Sequence, residues 1–503
     1  MTPATLPNGG ALPLAAVPRL PFPAFQEAVT GACADGAKLV CLAAARDMTG
    51  FALLTVPGSP AFQALRTTFP ARTFPSLTPT VPEAHLFERE ICEQRGLKAL
   101  GHPWFRPVRH HRPWSPAEDP WGRPDPVEPA VVDFHRIEGR QVHEVGVGPV
   151  HAGVIEPGHF RFQCVGETVV SLDISLGYQH RGLERTLPGG PHPLTLKHIE
   201  TAAGDTTAGH AWAYCLAMEG LAGLQVPVRA NLIRGLALEL ERLANHTGDL
   251  GAIAGDVGFL PTASYCGRLR GDWLNMTAVL CGSRLGRDLF RPGGVRFDVE
   301  PARIRDLRAR LIATEAGTRD AVELMWATPS VLARLEGTGR VLRAHAENLG
   351  LVGPPARACG IPLDVRRDHP FGPYGDAEIE PACDDLGDVA ARARVRWREI
   401  QASCAFLAWA LDALEELPAG PCAVPAPPSL PPEHLAVGVT EGWRGAVTHL
   451  LATDWSGHVA FHKLVDPSFR NWPGLALALR GEGISDFPLC NKSFNLSYCG
   501  FDL

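Results

Sequence analysis

The sequence predicts an α+β chain in three parts: a small mixed α/β domain at residues 1–111, a proline-rich linker at 112–135 and a large domain at 136–503. Three observations lead there. A polar stretch dense in proline, RPWSPAEDPWGRPDPVEPA from Arg112 to Ala130, interrupts the chain. Proline fixes φ and donates no hydrogen bond, so this stretch reads as an extended linker and not as a packed element. Residues 143–172 alternate as strands do, and the same alternation returns at about 435–468. Between them, from about Thr207, apolar residues recur at helical spacing. The large domain is therefore expected to open on a β hairpin, continue as a bundle of long helices and close on a mixed α/β part.

Taken in order, KLVCLAAARD and GFALLTVPG read as short strands of the first domain, and EAHLFEREICEQRG reads as a helix. Beyond the linker, FRFQCV and TVVSLDIS form a strand pair turned at Gly166-Glu167. In ANLIRGLALELERLANH, Leu232, Ile233, Leu236, Leu240 and Leu243 make one apolar stripe. Glu239 and Arg242, three residues apart, are expected on the outer side of that helix as a modest ion pair. Further helices are expected over about 267–287, 302–324 and 389–417, with proline clusters near 353–373 and 418–432 breaking the pattern. A short helix, GLALALR, follows the last strands.

At 503 residues, 45% hydrophobic and 20% charged, the chain has the make-up of a soluble globular protein with large cores. A net charge of -7 removes the electrostatic case for nucleic-acid binding. No uninterrupted apolar run reaches the roughly 18 residues of a membrane span. The most apolar helical stretch, Cys404 to Leu414, is short and carries Asp412. The start, MTPATLPNGG, lacks the basic and apolar regions of a secretory signal. The 13 cysteines include no CxxC pair, and in a large chain without a signal they read as reduced thiols in a cytoplasmic setting. Most are expected to pack as small hydrophobes.

Two resemblances sharpen this reading. HLFEREICEQRGLKALGHPWFRP, from His85 to Pro107, resembles the signature of the small hydrophilic (30 kDa-type) subunit of complex I. Phe87, Glu88, Arg89, Glu90, Gly96, Gly101, His102, Pro103 and Arg106 carry the match. It implies a helix that docks onto the neighbouring domain and a Gly-His-Pro turn in which Gly101 takes a backbone angle other residues resist. It implies no catalytic constellation.

From about Val142 to Leu503 the chain resembles the superfamily shared by hydrogenase large subunits and the quinone-site subunit of complex I. GPVHAGVIEPGHFRF, SLGYQHRGLER, HAWAYCLAMEGLAGLQVPVRANLIRGLALELERLANH, RPGGVRFD, ARACGIPLDVRRDHPF, EGWRGAVTH and DPSFRNWP follow in the family's order. The pattern is similar to that of energy-converting nickel–iron hydrogenases of the hydrogenase-4/formate hydrogenlyase type, and implies a hydrogenase large-subunit-like fold. The nickel–iron chemistry of that family needs four thiolates from two CxxC pairs, because soft sulfur suits those metals. Alignment on His210 and Tyr214 puts Ala203 and Thr206 at the first pair. Alignment on Ser485, Asp486, Pro488 and Leu489 puts Ser497 and Gly500 at the second, with Cys490 and Cys499 nearby but out of register. No metal ligand is expected at any of the four.

The resemblance offers other site residues. His151 resembles a loop histidine that meets the quinone headgroup. Asp256, ten residues after His246, stands where the quinone-binding branch has an aspartate. His210 belongs to the same quinone cleft. Glu156 matches an acidic loop residue suited to proton relay, and Arg444 the arginine that overhangs the metals; these two are the catalytic candidates. Plainer roles stay open: the histidine bonding a carbonyl, the arginine fixing a carboxylate, the aspartate capping a helix. Two departures count against quinone reduction by residue identity. The quinone-binding tyrosine falls at Gly204 and the aspartate's histidine partner near Arg287.

The whole pattern resembles nickel-free, hydrogenase-related relatives of complex I. It implies an oxidoreductase-complex subunit of the NADH dehydrogenase-like class, associated with NAD and quinone binding, on a cytoplasmic arm peripheral to the inner membrane. The implied partners are a small iron–sulfur subunit, which holds the cluster, and membrane-embedded antiporter-like subunits, through which all membrane contact runs. No directly bound cofactor is implied beyond a quinone. Two alternatives remain: a catalytically silent scaffold of that complex, and a hydrogenase with atypical ligation.

Overall fold

Alternating apolar residues near the N-terminus build a four-stranded antiparallel sheet. In the computed structural model, which describes residues 4–114, 117–125, 127, 134–150, 155–427 and 429–503, β1 (Ala4–Leu6), β3 (Leu39–Ala44), β4 (Thr49–Val56) and β5 (Ser59–Thr68) lie in the order β1-β5-β4-β3. Helix α1 (Phe22–Ala34) buries Phe22, Phe25 and Val29. The Phe22 ring meets Phe69 and Phe74 at 5.2 and 5.6 Å. Helix α2 (His85–Arg95) ends at Gly96, whose φ of 70° only glycine adopts at little cost. All eleven of its residues are buried, charged ones included.

A stitch joins the start of this domain to the far end of the chain. Strand β2 (Ala11–Pro13) pairs not with the first sheet but with β9 (His434–Gly442). Asn8 secures it, donating to His369 O and Val439 O at 2.9 and 2.8 Å and accepting from Val439 N at 2.8 Å. The first and last segments of the chain thus share one hydrogen-bonded sheet. The proline-rich stretch has no helix or strand among its described residues, yet it is packed where the sequence suggested it is not. Trp114 N donates to Gln94 O at 2.9 Å, Trp121 stacks on Phe105 at 4.9 Å, and Arg123 lies 3.6 Å from Glu93 of α2. Two tryptophans and an arginine give the stretch anchors that its proline content hides.

Strands β6 (Val142–Val147), β7 (His159–Val165) and β8 (Thr168–Ser175) form an antiparallel sheet turned at Gly166-Glu167. The helical part comprises α3 (Thr207–Ala222), α4 (Val228–Asp256), α5 (Leu260–Cys281), α6 (Pro301–Trp326) and α7 (Val389–Glu416). Helix α5 starts earlier than the apolar spacing suggested, because a proline in the first turn, Pro261, is tolerated where the N–H has no partner anyway. It stops at Gly282, φ 77°. Helix α4, at 29 residues, is buried along most of its length. The expected outward-facing pair is a correction: Glu239 and Arg242 are each 0% exposed, joined at 3.0 Å. A helix packed against α5, α7 and the 3-10 turn at Gly372–Gly375 has no solvent side there to offer them.

The last sheet has the order β11-β10-β9-β2, with β10 (Gly445–Thr453) and β11 (Val459–Val465). Helix α8 (Pro467–Ala478) is capped by Asp466, which accepts from Ser468 N at 2.7 Å. The expected GLALALR helix is its second half; Pro473 lies inside it. Helices α9 (Phe487–Phe494) and α10 (Tyr498–Asp502) finish the chain. The acidic–basic helix α2 docks here: Lys463 of β11 sits 2.7 Å from both Glu90 and Glu184, and Phe87 packs on Phe469 at 5.3 Å. Among the described residues no helix is long and apolar enough to cross a membrane.

Candidate functional site

The turn between β9 and β10 carries Trp443 and Arg444 between Gly442 and Gly445, and Gly445 has a φ of 129° that a side chain resists. The turn is held from below. Arg242 Nη2 donates to Glu441 O at 2.7 Å and Nη1 to Gly442 O at 3.2 Å. Arg242 belongs to a buried ionic cluster in which Arg366 pairs with Asp364 (2.7 Å) and Glu239 (3.1 Å). Arg357 pairs with Glu399 (2.7 Å) and Glu441 (2.8 Å), and His246 bonds Glu399 at 2.8 Å. Burial opposes ionisation of Glu239, but Arg366 and Arg242 outweigh it and hold the carboxyl down to about 2. Glu441 goes the other way: burial and the neighbouring Asp364 push it up to about 7.

Above this base Arg444 bridges two segments distant in sequence. Its Nη1 and Nη2 reach the two Asp205 carboxylate oxygens at 2.5 and 2.9 Å, Nη1 reaches Thr206 Oγ1 at 3.2 Å, and Nε donates to Asn495 O at 2.5 Å. The guanidinium lies over the Trp443 ring, 3.8 Å from its centroid. Burial opposes both charges, yet each holds the other ionised, lowering Asp205 and raising Arg444. The Arg444 side chain is 4% exposed and that of Asp205 36%, so solvent reaches the pair from the carboxylate side. Behind the loop, Glu241 accepts from Ala208 N and Gly209 N at the start of α3, at 2.7 and 3.3 Å. Burial nevertheless pushes Glu241 up to about 8.

The C-terminal tail closes the other wall. Ser497 caps α10, its Oγ accepting from Gly500 N at 2.9 Å. Glu156 Oε2 accepts from Tyr498 N and Cys499 N at 3.1 and 3.5 Å. Burial and Glu156 push the Cys499 thiol up to about 11, and Cys499 lies against the backbone of Gly204. A Cβ at Gly500 would stand 2.7 Å from the carboxyl carbon of Asp466, which in turn bonds His210 Nε2 at 3.0 Å. Asp466 stays ionised: burial works against it, but His210 and Arg444 lower it.

The structure thus brings Glu156, Thr206, Arg444, Ser497 and Gly500 into one largely buried neighbourhood that opens to solvent at Asp205, with Ala203 buried in its first loop and His210 reaching it through Asp466. As a donor set, a methyl, two hydroxyls and a bare α-carbon do not fit a nickel–iron centre, which takes thiolates. Among the described residues no group of three or more His, Cys, Asp or Glu side chains is arranged to hold a metal ion. Asp256 is not brought to the cleft: it is exposed at the C-terminal end of α4. The carboxylate of α4 that does touch the tail is Asp249, bonded to Asn495 Nδ2 at 2.6 Å and Arg396 at 2.9 Å. His151 lies outside the described residues. Cys490 is buried against Gly339 and Arg392, a packing position.

Sequence reasoning missed Asp205, Asp466, His449 and His462. Asp205 stood in plain view in TAAGDTTAGH, two residues beyond Ala203, and Asp466 in the helix-start pattern DPS. The two histidines alternate inward from β10 and β11 and carry no local signal.

Comparison with known proteins places this architecture. Residues 256–440 match the model of the respiratory-chain NADH dehydrogenase 49 Kd subunit, and residues 39–128 that of its 30 Kd subunit. Formate hydrogenlyase subunit 5 of Escherichia coli (strain K12) is 31% identical over 437 residues, covering 84% of this chain and 76% of that protein. NADH-quinone oxidoreductase subunit 4 of Thermus thermophilus is 29% identical over 373 residues, 69% of this chain and 90% of that protein. A chain in the structure of the membrane-bound sulfane sulfur reductase, an archaeal respiratory membrane complex, has the same fold. Its TM-score is 0.66 at 23% identity, over 72% of this chain and 99% of that one. With a 30 kDa-type domain and a 49 kDa-type domain on one polypeptide, the chain belongs to the family that joins the 49 kDa subunit of respiratory NADH dehydrogenase to formate hydrogenlyase subunit 5 and its hydrogenase relatives.

Proposed function

We propose that this chain is the cleft-bearing peripheral subunit of a membrane-bound, complex I-like oxidoreductase, and that it works without a nickel–iron centre. It receives electrons from an iron–sulfur cluster in a small partner subunit and passes them to a quinone or another small acceptor at the Arg444 cleft. Membrane-embedded antiporter-like subunits couple this transfer to ion movement, and the chain meets the membrane through them, on the cytoplasmic side.

One observation carries the reading: near the positions where the resemblance to nickel–iron hydrogenases would put thiolates, this chain has the Asp205–Arg444 pair and an Asp466 carboxylate packed on Gly500. Arg444 is the group there suited to a developing negative charge. It is cationic, buried on one side, and its Asp205 partner opens to solvent, so an anionic or reduced acceptor can compete for it. Glu156 and the high-lying Glu241 are the nearby carboxyls able to exchange protons.

The test is purification of the intact complex, metal analysis, and electron transfer to a quinone analogue. The expected result is no stoichiometric nickel, with quinone reduction that falls about 100-fold in Arg444→Met. Stoichiometric nickel overturns the nickel-free reading. Wild-type turnover in R444M assigns the chain the role of a silent scaffold instead.

A further inference from the structure

Four buried side chains make an unbroken hydrogen-bonded row through the last sheet. Asp466 Oδ2 meets His210 Nε2 at 3.0 Å, His210 Nδ1 meets His449 Nε2 at 3.2 Å, and His449 Nδ1 meets His462 Nε2 at 3.0 Å. Asp466, His210 and His449 are 0% exposed and His462 is 3% exposed. At one end Asp466 abuts the Arg444 cleft. At the other, His462 borders a cavity of about 210 Å³ at the seam between the two domains, whose wall includes the exposed Arg46 and Arg185. Apolar residues would fill these positions without burying three polar rings. Imidazole alone among side chains accepts a proton on one nitrogen while releasing another from its second.

We propose that His462, His449, His210 and Asp466 form a proton relay that joins the cavity at the domain seam to the Arg444 cleft. Ionised Asp466 takes the Nε2–H of His210, which leaves His210 Nδ1 to accept from His449 Nε2–H, and His449 Nδ1 to accept from His462 Nε2–H. A proton arriving from water at His462 Nδ1 then releases the Nε2 proton to His449. His449 passes its Nε2 proton to His210, and His210 passes its own to Asp466. Each ring ends neutral with its proton moved from Nε2 to Nδ1, and Asp466 carries the proton gained. The groups facing the row are Lys463 beside His462, itself paired with Glu90 and Glu184, the Tyr214 ring stacked on His462 at 5.8 Å, and Arg444 and Ser468 beside Asp466. Burial keeps His449 well below the ordinary imidazole value, and burial with Lys463 takes His462 to about 3. His449 and His462 therefore pass on a proton without retaining it.

The relay presupposes the acceptor site proposed above, since reduction of a quinone to a quinol consumes a proton with each electron. The experiment uses the intact complex, wild type and with His462→Ala or His449→Gln, reduced rapidly by viologen. Proton uptake is followed with a pH-indicator dye and reduction of a quinone analogue is followed in parallel. Proton uptake is expected to slow about 100-fold in both variants. Added imidazole restores it in H462A, where the cavity admits the free ring, and not in H449Q, where the site is closed. Wild-type uptake in both variants overturns the relay, as does slowing of both without rescue, which marks a structural role. Absence of proton uptake by the wild-type complex also overturns it. Relay-dependent uptake without reduction of the quinone analogue leaves the relay standing and removes the quinone as acceptor.

Discussion

Replacing Glu441 by glutamine tests the electrostatics that hold up the Arg444 turn. The cluster contains three guanidinium groups, Arg242, Arg357 and Arg366, against four carboxyls, Glu239, Asp364, Glu399 and Glu441. With Glu441 protonated the charges balance; with it ionised one negative charge is left over in a region closed to water. Burial, reinforced by Asp364, accordingly raises Glu441 to about 7. A raised carboxyl favours the protonated folded state. Its contribution is therefore complete below the ordinary glutamate range and is lost as pH rises through 7. Between pH 5 and pH 8 that linkage removes about 2–3 kcal/mol from the wild type. Both Glu441 oxygens accept hydrogen bonds, from Arg357 Nη1 at 2.8 Å and from Val365 N at 3.0 Å; glutamine keeps one acceptor oxygen, turns its amide nitrogen toward the other donor, and has no proton to lose. In urea unfolding followed by tryptophan fluorescence, E441Q should lie about 1–3 kcal/mol below the wild type near pH 5, where one buried donor faces its amide nitrogen, and gain about 2–3 kcal/mol on the wild type by pH 8. Parallel pH profiles for the two proteins, or a gain at pH 5 that shrinks at pH 8, would refute the assignment.

Three further outcomes are expected. Lys463→Met leaves Glu184, nearly fully buried, without its paired cation, while Glu90 keeps only Arg109. Thermal unfolding should report a loss of about 3–5 kcal/mol, with faster protease cleavage in the proline-rich segment; a loss below about 1 kcal/mol would remove the pair from the domain seam. Glu156→Gln keeps an acceptor oxygen but loses its charge, weakening the bonds from Tyr498 N and Cys499 N by about 1 kcal/mol. Hydrogen exchange at those two amides should speed several-fold, and unchanged exchange means that the tail is held by other contacts. Gly500→Cys puts a Cβ 2.7 Å from Asp466. It should cost about 1–3 kcal/mol in urea unfolding and bind no nickel on metal analysis, and a stable, nickel-loaded variant contradicts the cleft geometry.

Much of the fold was legible because periodicity reports which face of an element is covered. The two-residue alternation in FRFQCV and TVVSLDIS is the β7–β8 pair, and the stripe of Leu232, Ile233, Leu236, Leu240 and Leu243 is the core face of α4. The same logic failed for Glu239 and Arg242. A charged residue reads as solvent-facing, and nothing local announces that Arg366, Ser403 and Tyr374 wait on other elements to satisfy it. Proline density misled in a similar way, since it describes the backbone of the 112–135 stretch and not the tryptophans that pin it. In the cleft, motif order led to Glu156 and Arg444 as isolated residues. Their partners, Asp205 and the amides of Tyr498 and Cys499, come from segments hundreds of residues away.

The sequence by itself determined the family, the succession of strand-rich and helical parts in the large domain, and the chemical character of four positions that hold Ala203, Thr206, Ser497 and Gly500. Those are matters of covalent identity and local spacing. Only the tertiary structure decided which charges neutralise one another, that β2 closes the C-terminal sheet, and that three histidines from α3, β10 and β11 line up behind Asp466. Electrostatic energy and hydrogen bonding depend on distances of a few ångströms and on exclusion of water, and packing sets both.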